Sequence, residues 1–267
     1  MTASTSSGAT TGASSRPARG LLNSTYLRYE MLRLFRNKRA FIFSLGFPLA
    51  LFLVIGGSNK DQVLDLGTFK VKFVLYYMVS MAGYGAMIAA ISGGARISAE
   101  RATGWNRQLR LTPLRVSTYF GTKVITAYVM SGASIVLLYA AGLAFGVRID
   151  SVTRWASMTG LLLVGVLPFV ALGIAVGHLL TTDSMGPAVG GGSAFFGFLG
   201  GQWFPLPASG VLHQVGELVP SFWLTQASHI GIGGAAWPLK GWVVVLVWAG
   251  AMSAWAGWAY RRDTNRV

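Results

Sequence analysis

The chain has 267 residues, of which 53% are hydrophobic and only 11% are charged, and its mean hydropathy is +0.54. A soluble globular domain carries about 25% charged residues, so this composition excludes an ordinary water-facing surface. Cysteine is absent, which excludes a disulfide framework and thiolate chemistry. The net charge of +14 lies between long apolar runs, and this distribution indicates a polytopic membrane protein rather than a nucleic-acid-binding one.

The N-terminal part of the chain divides into a polar tail and a basic helix. Residues 1–25 are rich in Ser, Thr, Gly and Ala, so we expect a disordered cytoplasmic tail there. Residues 26–39 predict an amphipathic helix that lies in the membrane interface, with Leu27, Met31 and Leu34 on its apolar face. An ordinary basic juxtamembrane stretch is the alternative. A cleaved signal peptide is disfavoured because 39 residues precede the first apolar run.

Six apolar runs follow, and each predicts a membrane-spanning helix, because a helix satisfies its own backbone hydrogen bonds in hydrocarbon. The predicted spans are 40–57, 73–97, 124–147, 156–180, 187–202 and 242–260. The expected fold class is therefore an all-α polytopic membrane protein, in which residues 40–267 form one six-span transmembrane domain. A soluble helical core is the alternative that the composition disfavours.

The distribution of Lys and Arg predicts the orientation. The tail to residue 39, the segment 96–123 and the residues after 260 hold 16 of the 22 basic residues, and the opposite loops hold six. By the positive-inside rule both termini and the segment between the second and third spans are expected in the cytoplasm.

That cytoplasmic segment contains "ERATGWNRQLRLTPLR" at residues 100–115. The second span is expected to continue to Arg101 and to be interrupted at Gly104, and a short helix follows. Thr112 suits a helix N-cap and Pro113 the first helical position, so a new helix should start there and lead into the third span. A plain topogenic loop is the alternative, although such a loop needs only the arginines and not the Trp, Gly and Thr-Pro steps.

This pattern resembles the permease subunits of type 2 ATP-binding-cassette exporters. In that family a Glu-Arg-x-x-Gly segment leads into Leu-Arg-x-Thr-Pro-Leu between the second and third spans, and here these are residues 100–104 and 109–114. The resemblance includes the amphipathic helix and the stretch between the fifth and sixth spans, so it covers nearly everything after residue 25. Trp105 departs from the Thr or Leu that usually follows this Gly.

The resemblance implies a membrane dimer, homomeric or heteromeric, and two cytoplasmic ATPase subunits that dock on a coupling segment, residues 98–123. ATP and Mg would bind to those partners; this chain would bind no cofactor, carry no catalytic residue and contact membrane lipids. The sequence contains no G-x-x-x-x-G-K-[ST] phosphate loop. The residues expected to couple to the ATPase are Glu100, Arg101, Gly104, Trp105, Arg107, Leu109, Arg110, Thr112 and Pro113.

After the fifth span, residues 203–238 are expected on the extracellular side. Prolines end the helix, and the following stretch is too polar to span easily, so a re-entrant pair of short helices split at Pro220 is predicted. A surface loop without a role in transport is the alternative. His213, His229 and Glu217 lack a metal-ligand spacing, so no metal site is expected. The residues expected to form an outer gate are Trp203, Phe204, Pro205, Glu217 and Pro220.

The function expected from the resemblance is export across a bacterial plasma membrane. The uncharged, aromatic-rich spans suit an amphipathic or hydrophobic cargo such as a drug, an antibiotic or a lipid-like compound. A secondary transporter or channel is the alternative, although the predicted span interiors hold no ionisable residue. An intramembrane enzyme lacks support from any acid pair or nucleophile motif. Small-residue pairs such as Gly173/Gly177 allow close helix packing, either at a dimer interface or generally.

Overall fold

The computed structural model describes residues 24–36, 38–65, 70–105, 108, 115–207 and 209–264. Most of these residues are helical. In chain order the elements are α1 (Ser24–Arg36), α2 (Lys38–Leu51), a π-helical turn (Phe52–Gly56), β1 (Val63–Asp65), β2 (Lys70–Lys72), α3 (Phe73–Ala102), α4 (Val116–Ala144), α5 (Val152–Gly165), α6 (Leu167–Leu179), α7 (Thr182–Leu199), α8 (Val211–Gly216), α9 (Pro220–His229), a 3-10 turn (Ile230–Ile232) and α10 (Leu239–Thr264).

Four helical segments of the described chain are long and apolar enough to cross a membrane: α3, α4, the α5–α6 pair and α10. The first predicted span coincides with α2 and its π-helical turn, which form a shorter apolar helix. The fifth coincides with α7, whose first turn contains Asp183 and whose middle is rich in glycine. All six predicted runs therefore lie on helices, and four of them reach the length and hydropathy of a membrane span.

Helix α3 is the centre of the molecule. Its apolar window is almost entirely buried, and it packs against α2, α4, α6, α7 and α9. A helix that is apolar on all sides is expected to be surrounded by other helices, and the sequence of α3 has this character from Val74 to Ile91. A displacement of the end of α3 at Ala102 would therefore be transmitted to five other helices.

Helices α3 and α6 cross with their backbones in direct contact. A methyl group added at Gly94 of α3 would lie 2.1 Å from the carbonyl oxygen of Gly173, and one added at Gly177 would lie 2.6 Å from the carbonyl oxygen of Gly94. The Gly173/Gly177 pair is therefore used for packing inside the chain, which removes it from the candidates for a dimer interface.

The fourth predicted span is divided in two. A continuous helix was expected over 156–180, but α5 ends at Gly165 and α6 begins at Leu167. Pro168 has no backbone N–H to donate to the preceding turn and its ring crowds that turn, so the α-helical ladder breaks here. The predicted span itself is confirmed, because Val152–Leu179 forms one apolar helical stretch of 28 residues that is long enough to cross a membrane.

The smaller elements of the structure lie at the helix ends that are opposite to the coupling segment. β1 and β2 form an antiparallel ribbon, with Val63 opposite Lys72 and Asp65 opposite Lys70. This ribbon is an addition to the predicted all-α class, and it buries Val71. The short helices α8 and α9 lie on either side of Leu218 and Val219, so the chain divides just before Pro220, as predicted.

The N-terminal prediction is only partly within the structure. Residues 1–23 of the predicted tail lie outside the described residues, and α1 occupies most of the region predicted as an amphipathic helix. Leu34 on α1 is buried, as expected of the apolar face, but so is Glu30. The inward face of α1 thus carries a carboxylate as well as apolar side chains.

Candidate coupling site

The coupling segment begins in the last turns of α3 and ends inside α4. Helix α3 ends at Ala102, and Gly104 has a φ of 70°, a left-handed conformation that glycine adopts at little cost. The predicted interruption at Gly104 is therefore confirmed. Beyond it, Trp105 is 38% exposed and Gln108 is exposed. The predicted contact residues Arg107, Leu109, Arg110, Thr112 and Pro113 lie outside the described residues.

Charged side chains from the start and the end of this segment meet each other and α1, and we name the group the Lys123 cluster: Glu30, Arg33, Glu100 and Lys123. Lys123 Nζ donates to both carboxylate oxygens of Glu100, at 2.6 and 2.8 Å, and also to Glu30 Oε1. Arg33 Nη1 lies 3.3 Å from Glu100 Oε1. Arg96 also lies near Glu30 and Glu100, so three described cations surround the two buried carboxylates and neither carboxylate lacks a partner.

Three different helices meet in the Lys123 cluster. Glu30 comes from α1, Glu100 from the last turn of α3 and Lys123 from the second turn of α4. The side chains of Glu30, Glu100 and Lys123 are 4%, 1% and 3% exposed, so water cannot replace the partners if one is lost. Glu100, which was expected to face a partner protein, instead has its carboxylate paired inside the chain. Its position connects the coupling segment to α1 and α4.

A second charged group, the Asp263 cluster, consists of Arg101, His178 and Asp263. Arg101 Nε donates to Asp263 Oδ1 at 2.8 Å, and His178 Nδ1 lies 3.1 Å from Asp263 Oδ2. Arg101 also donates to the carbonyl oxygens of Gly177 and Leu180. Through this one guanidinium the end of α3 is joined to the end of α6 and to α10.

Trp105 connects the exposed part of the segment with the Lys123 cluster. The guanidinium of Arg33 lies over the indole ring, 5.8 Å from its centroid. The same Arg33 reaches Glu100, so α1 contacts both sides of the Gly104 break. A cation above an indole face is a favourable electrostatic contact. An exposed Trp is therefore held against a buried ionic anchor at the tip of α3.

Comparison with known proteins shows the family of the chain. A family model described as ABC-2 family transporter protein matches residues 65–259. The chain belongs to the ABC-2 transporter family. It is also 30% identical over 216 residues, 79% of its own length and 82% of the relative's, to a protein of Bacillus subtilis (strain 168) named as a transport permease, YvfS. The resemblance noted from the Glu-Arg-x-x-Gly and Thr-Pro-Leu segments is confirmed.

Family membership makes the chain a multi-pass membrane protein and an ABC transporter permease. Permeases of this family work with an ATPase partner in general. In this permease, the Lys123 cluster and the Asp263 cluster therefore lie where the central helix α3 ends and the coupling segment begins.

The residues predicted as an outer gate lie at the other end of the permease. The indole of Trp203 packs edge-on against Tyr84 with ring centroids 5.6 Å apart, and Phe204 is 65% exposed. Glu217 accepts a hydrogen bond from Lys240 Nζ at 2.6 Å, and this contact lowers the pKa of the Glu217 carboxyl. Pro220 lies in the first turn of α9. Among the described residues no group of three His, Cys, Asp or Glu side chains is placed to hold a metal ion.

A cavity of about 240 Å³ opens between α3, the turn after α7 and the two short helices, with Pro205 in its wall. His213 Nδ1 and His229 Nε2 belong to residues that line it, and these buried atoms have no hydrogen-bond partner in the described part of the chain. Burial lowers the pKa of His229 to about 4, so this imidazole is neutral at ordinary pH. The neutral imidazole of His229 can hydrogen-bond water or an uncharged polar group.

Five residues of the two clusters were not predicted as functional: Glu30, Arg33, Lys123, His178 and Asp263. Two of them, Glu30 and Lys123, had a signal in the sequence. Glu30 is the only acid among the first 39 residues, which hold seven basic ones, and it precedes Leu34 by one helical turn. Lys123 was assigned to the flank because the third span was expected to start at residue 124, whereas α4 begins at Val116. An ionisable side chain inside an apolar helix predicts a paired partner.

Proposed function

We propose that this permease is the membrane subunit of an ATP-driven exporter and that it moves an amphipathic or hydrophobic compound out of a bacterial cell. Hydrolysis of ATP takes place on separate ATPase subunits, two copies of which dock on the coupling segment of a permease dimer. The six helical runs cross the plasma membrane, and both termini lie in the cytoplasm. The observation that carries the proposal is the placement of an exposed Trp and a buried ionic cluster at the tip of the central helix.

This arrangement connects the ATPase contact directly to the central helix α3, so a movement of the ATPase would displace that helix. Trp105 is exposed and adjoins the Gly104 turn, so it provides the contact, in the company of Arg107, Leu109 and Arg110. Tryptophan and arginine are enriched among the side chains that dominate protein–protein binding energy. Glu100 and Arg101 act one step further in: they hold the ends of α1, α4, α6 and α10 to α3, so these helices move with it.

Residues 203–238, which we name the outer segment, are proposed as the exit side of the same pathway. Helices α8 and α9 form the re-entrant pair, with Trp203, Phe204 and Pro205 at the depth of the outer interface. The ion pair between Glu217 and Lys240 fixes the start of α10 to this segment. Its exposed position allows the pair to separate at little cost, because exposed ion pairs contribute at most about 1 kcal/mol. This is the property expected of a contact that breaks when the outer side opens.

The test is to purify the tagged full-length permease from its own host and to identify the ATPase that accompanies it. We expect no ATP turnover by the permease alone and turnover by the complex. Trp105→Ala should weaken the complex at least about 30-fold, since loss of a central aromatic contact costs about 2 kcal/mol or more. Lys60→Ala, an exposed residue on the other side, is the control and should change neither yield nor turnover. ATP hydrolysis by the permease alone, or full recovery of the ATPase with Trp105→Ala, would overturn the proposal.

A further inference from the structure

A second cavity, of about 360 Å³, opens beside the Asp263 cluster at the ends of α6 and α10. It is distinct from the outer cavity, because it lies at the end of α3 where the coupling segment begins. The residues that line it are Arg101, His178, Leu179, Trp255, Trp258, Arg262 and Asp263.

The charges around this cavity leave one cation in excess. Arg101 and Asp263 neutralise each other across 2.8 Å, and Asp263 also accepts the contact from His178. Arg262 forms no ion pair with any described residue; its guanidinium lies over the ring of Trp258, 5.3 Å from the centroid. The cavity wall therefore carries a net charge of about +1, which a single negative charge would complement.

The indoles of Trp255 and Trp258 form the apolar part of the wall on α10. Trp255, Trp258 and Arg262 share one face of α10, at a spacing of three and four residues. Trp258 is 49% exposed, and several large apolar side chains of α10 are exposed along its length. Tryptophan is enriched where a membrane helix meets the headgroup layer, and arginine binds phosphate through two parallel hydrogen bonds.

We propose that this cavity binds the phosphate headgroup of an anionic phospholipid, with Arg262 on the phosphate and Trp258 against the glycerol and upper acyl chains. Basic pockets between membrane helices on the cytoplasmic side suit such headgroups. A zwitterionic lipid fits less well, because its ammonium group would be brought towards Arg262. A free phosphate shares the chemistry with Arg262 but would leave the two indoles without a partner. A bound lipid would join the side of α10 to the residues that hold α3 and α6.

The proposal requires a membrane protein but not an exporter, so it holds or fails separately from the proposed function. The experiment measures lipid retention by native mass spectrometry on the purified full chain. Phosphatidylglycerol and phosphatidylcholine with identical acyl chains are added in turn to the wild type, Arg262→Gln and Arg261→Gln. Arg261 is the matched control: it is exposed, adjacent and equally charged, but it does not line the cavity.

We expect the wild type and Arg261→Gln to retain one phosphatidylglycerol under conditions that remove phosphatidylcholine. Arg262→Gln should bind it at least about tenfold more weakly, the loss expected for one charge-assisted hydrogen-bonding group. Equal retention of both lipids, or equal losses in the two variants, would show a general surface charge effect and overturn the proposal. Inorganic phosphate is the third arm: if it displaces phosphatidylglycerol at equimolar concentration, the site takes a free phosphate and the assignment to a lipid is wrong.

Discussion

The ammonium group of Lys123 lies between the carboxylates of Glu30 and Glu100, and all three side chains are almost completely buried. Replacing all the charged side chains of such a cluster by well-packed apolar ones can leave the stability unchanged. Removal of one partner, in contrast, leaves an uncompensated charge in a medium that solvates it poorly. The cluster therefore makes the junction of α1, α3 and α4 intolerant of single substitutions.

We predict that Lys123→Met lowers the free energy of unfolding by about 3–5 kcal/mol, because two buried carboxylates are left without their shared cation. Thermal unfolding of the purified permease in detergent measures the change. The triple variant Lys123→Met, Glu30→Gln, Glu100→Gln removes the three buried charges together and should recover much of the loss, because Arg33, the remaining cation of the cluster, is half exposed.

Lys240 provides the matched control for this prediction. It also pairs with a carboxylate at 2.6 Å, that of Glu217, but its side chain is 52% exposed. Lys240→Met should therefore cost no more than about 1 kcal/mol. Equal destabilisation by Lys123→Met and Lys240→Met would mean that burial does not govern the strength of the cluster.

His229 gives the outer segment a sensitivity to acid. Its pKa is lowered to about 4 by burial, against 6.5 for a free histidine, so between these values the unfolded chain binds a proton that the folded chain does not. The contribution of the neutral His229 to the stability of the fold is then fully present above pH 6.5 and is lost as the pH decreases towards 4. We expect His229→Gln to reduce this dependence between pH 6.5 and 4.5, measured by thermal unfolding. An unchanged pH profile in the variant would contradict the assignment.

At the scale of elements, the crossing of α3 and α6 depends on the absence of side chains. A Cβ at Gly177 would approach the carbonyl oxygen of Gly94 to 2.6 Å and its Cα to 2.9 Å. Backbone atoms in the middle of two packed helices cannot shift independently, so the helices would have to separate.

We predict that Gly177→Ala destabilises the permease by about 1–3 kcal/mol through overpacking. It should also lower ATP turnover in the complex, because α6 would lose its close contact with α3, the helix that is proposed to receive the force. Gly160→Ala in α5 is the control: a Cβ there has no neighbour within 4 Å, and alanine favours the helix. If Gly160→Ala and Gly177→Ala have the same melting temperature, close packing at this crossing is not required.

At the scale of the whole molecule, the distribution of the basic residues predicts the orientation in the membrane. Because the native chain has no cysteine, single cysteine variants report the position of any exposed residue without background. Ser209 lies in the outer segment and Gln108 in the coupling segment, and both are exposed. Gln108 is preferable to Gly104 as a site, because the positive φ of Gly104 would strain any other residue.

We predict that a membrane-impermeant maleimide labels Ser209→Cys in intact cells and labels Gln108→Cys only after the cells are opened. The reason is the excess of Lys and Arg on the side of the coupling segment, which retains that side in the cytoplasm. Labelling of Gln108→Cys in intact cells would reverse the predicted topology and place the ATPase contact on the wrong side of the membrane.

Features that are set by neighbouring residues could be predicted from the sequence. The helical character of the six runs, the break at Gly104 and the division of the outer segment just before Pro220 follow from composition, backbone preference and the missing proline N–H. The break at Pro168 was equally local and was overlooked within a strongly apolar run. The ribbon between α2 and α3 was not predicted, since three-residue strands leave almost no pattern.

The sequence by itself determined that this is a helical membrane protein of the ABC-2 type, with a charged segment between its second and third apolar runs, because hydropathy, charge distribution and short motifs are written in consecutive residues. Only the tertiary structure decided what the charges of that segment do. Glu30, Glu100 and Lys123 are 70 and 23 residues apart along the chain, and Arg101 is 162 residues from Asp263. Their pairing depends on how the helices pack, and that packing turns Glu100 from an expected surface contact into a buried anchor.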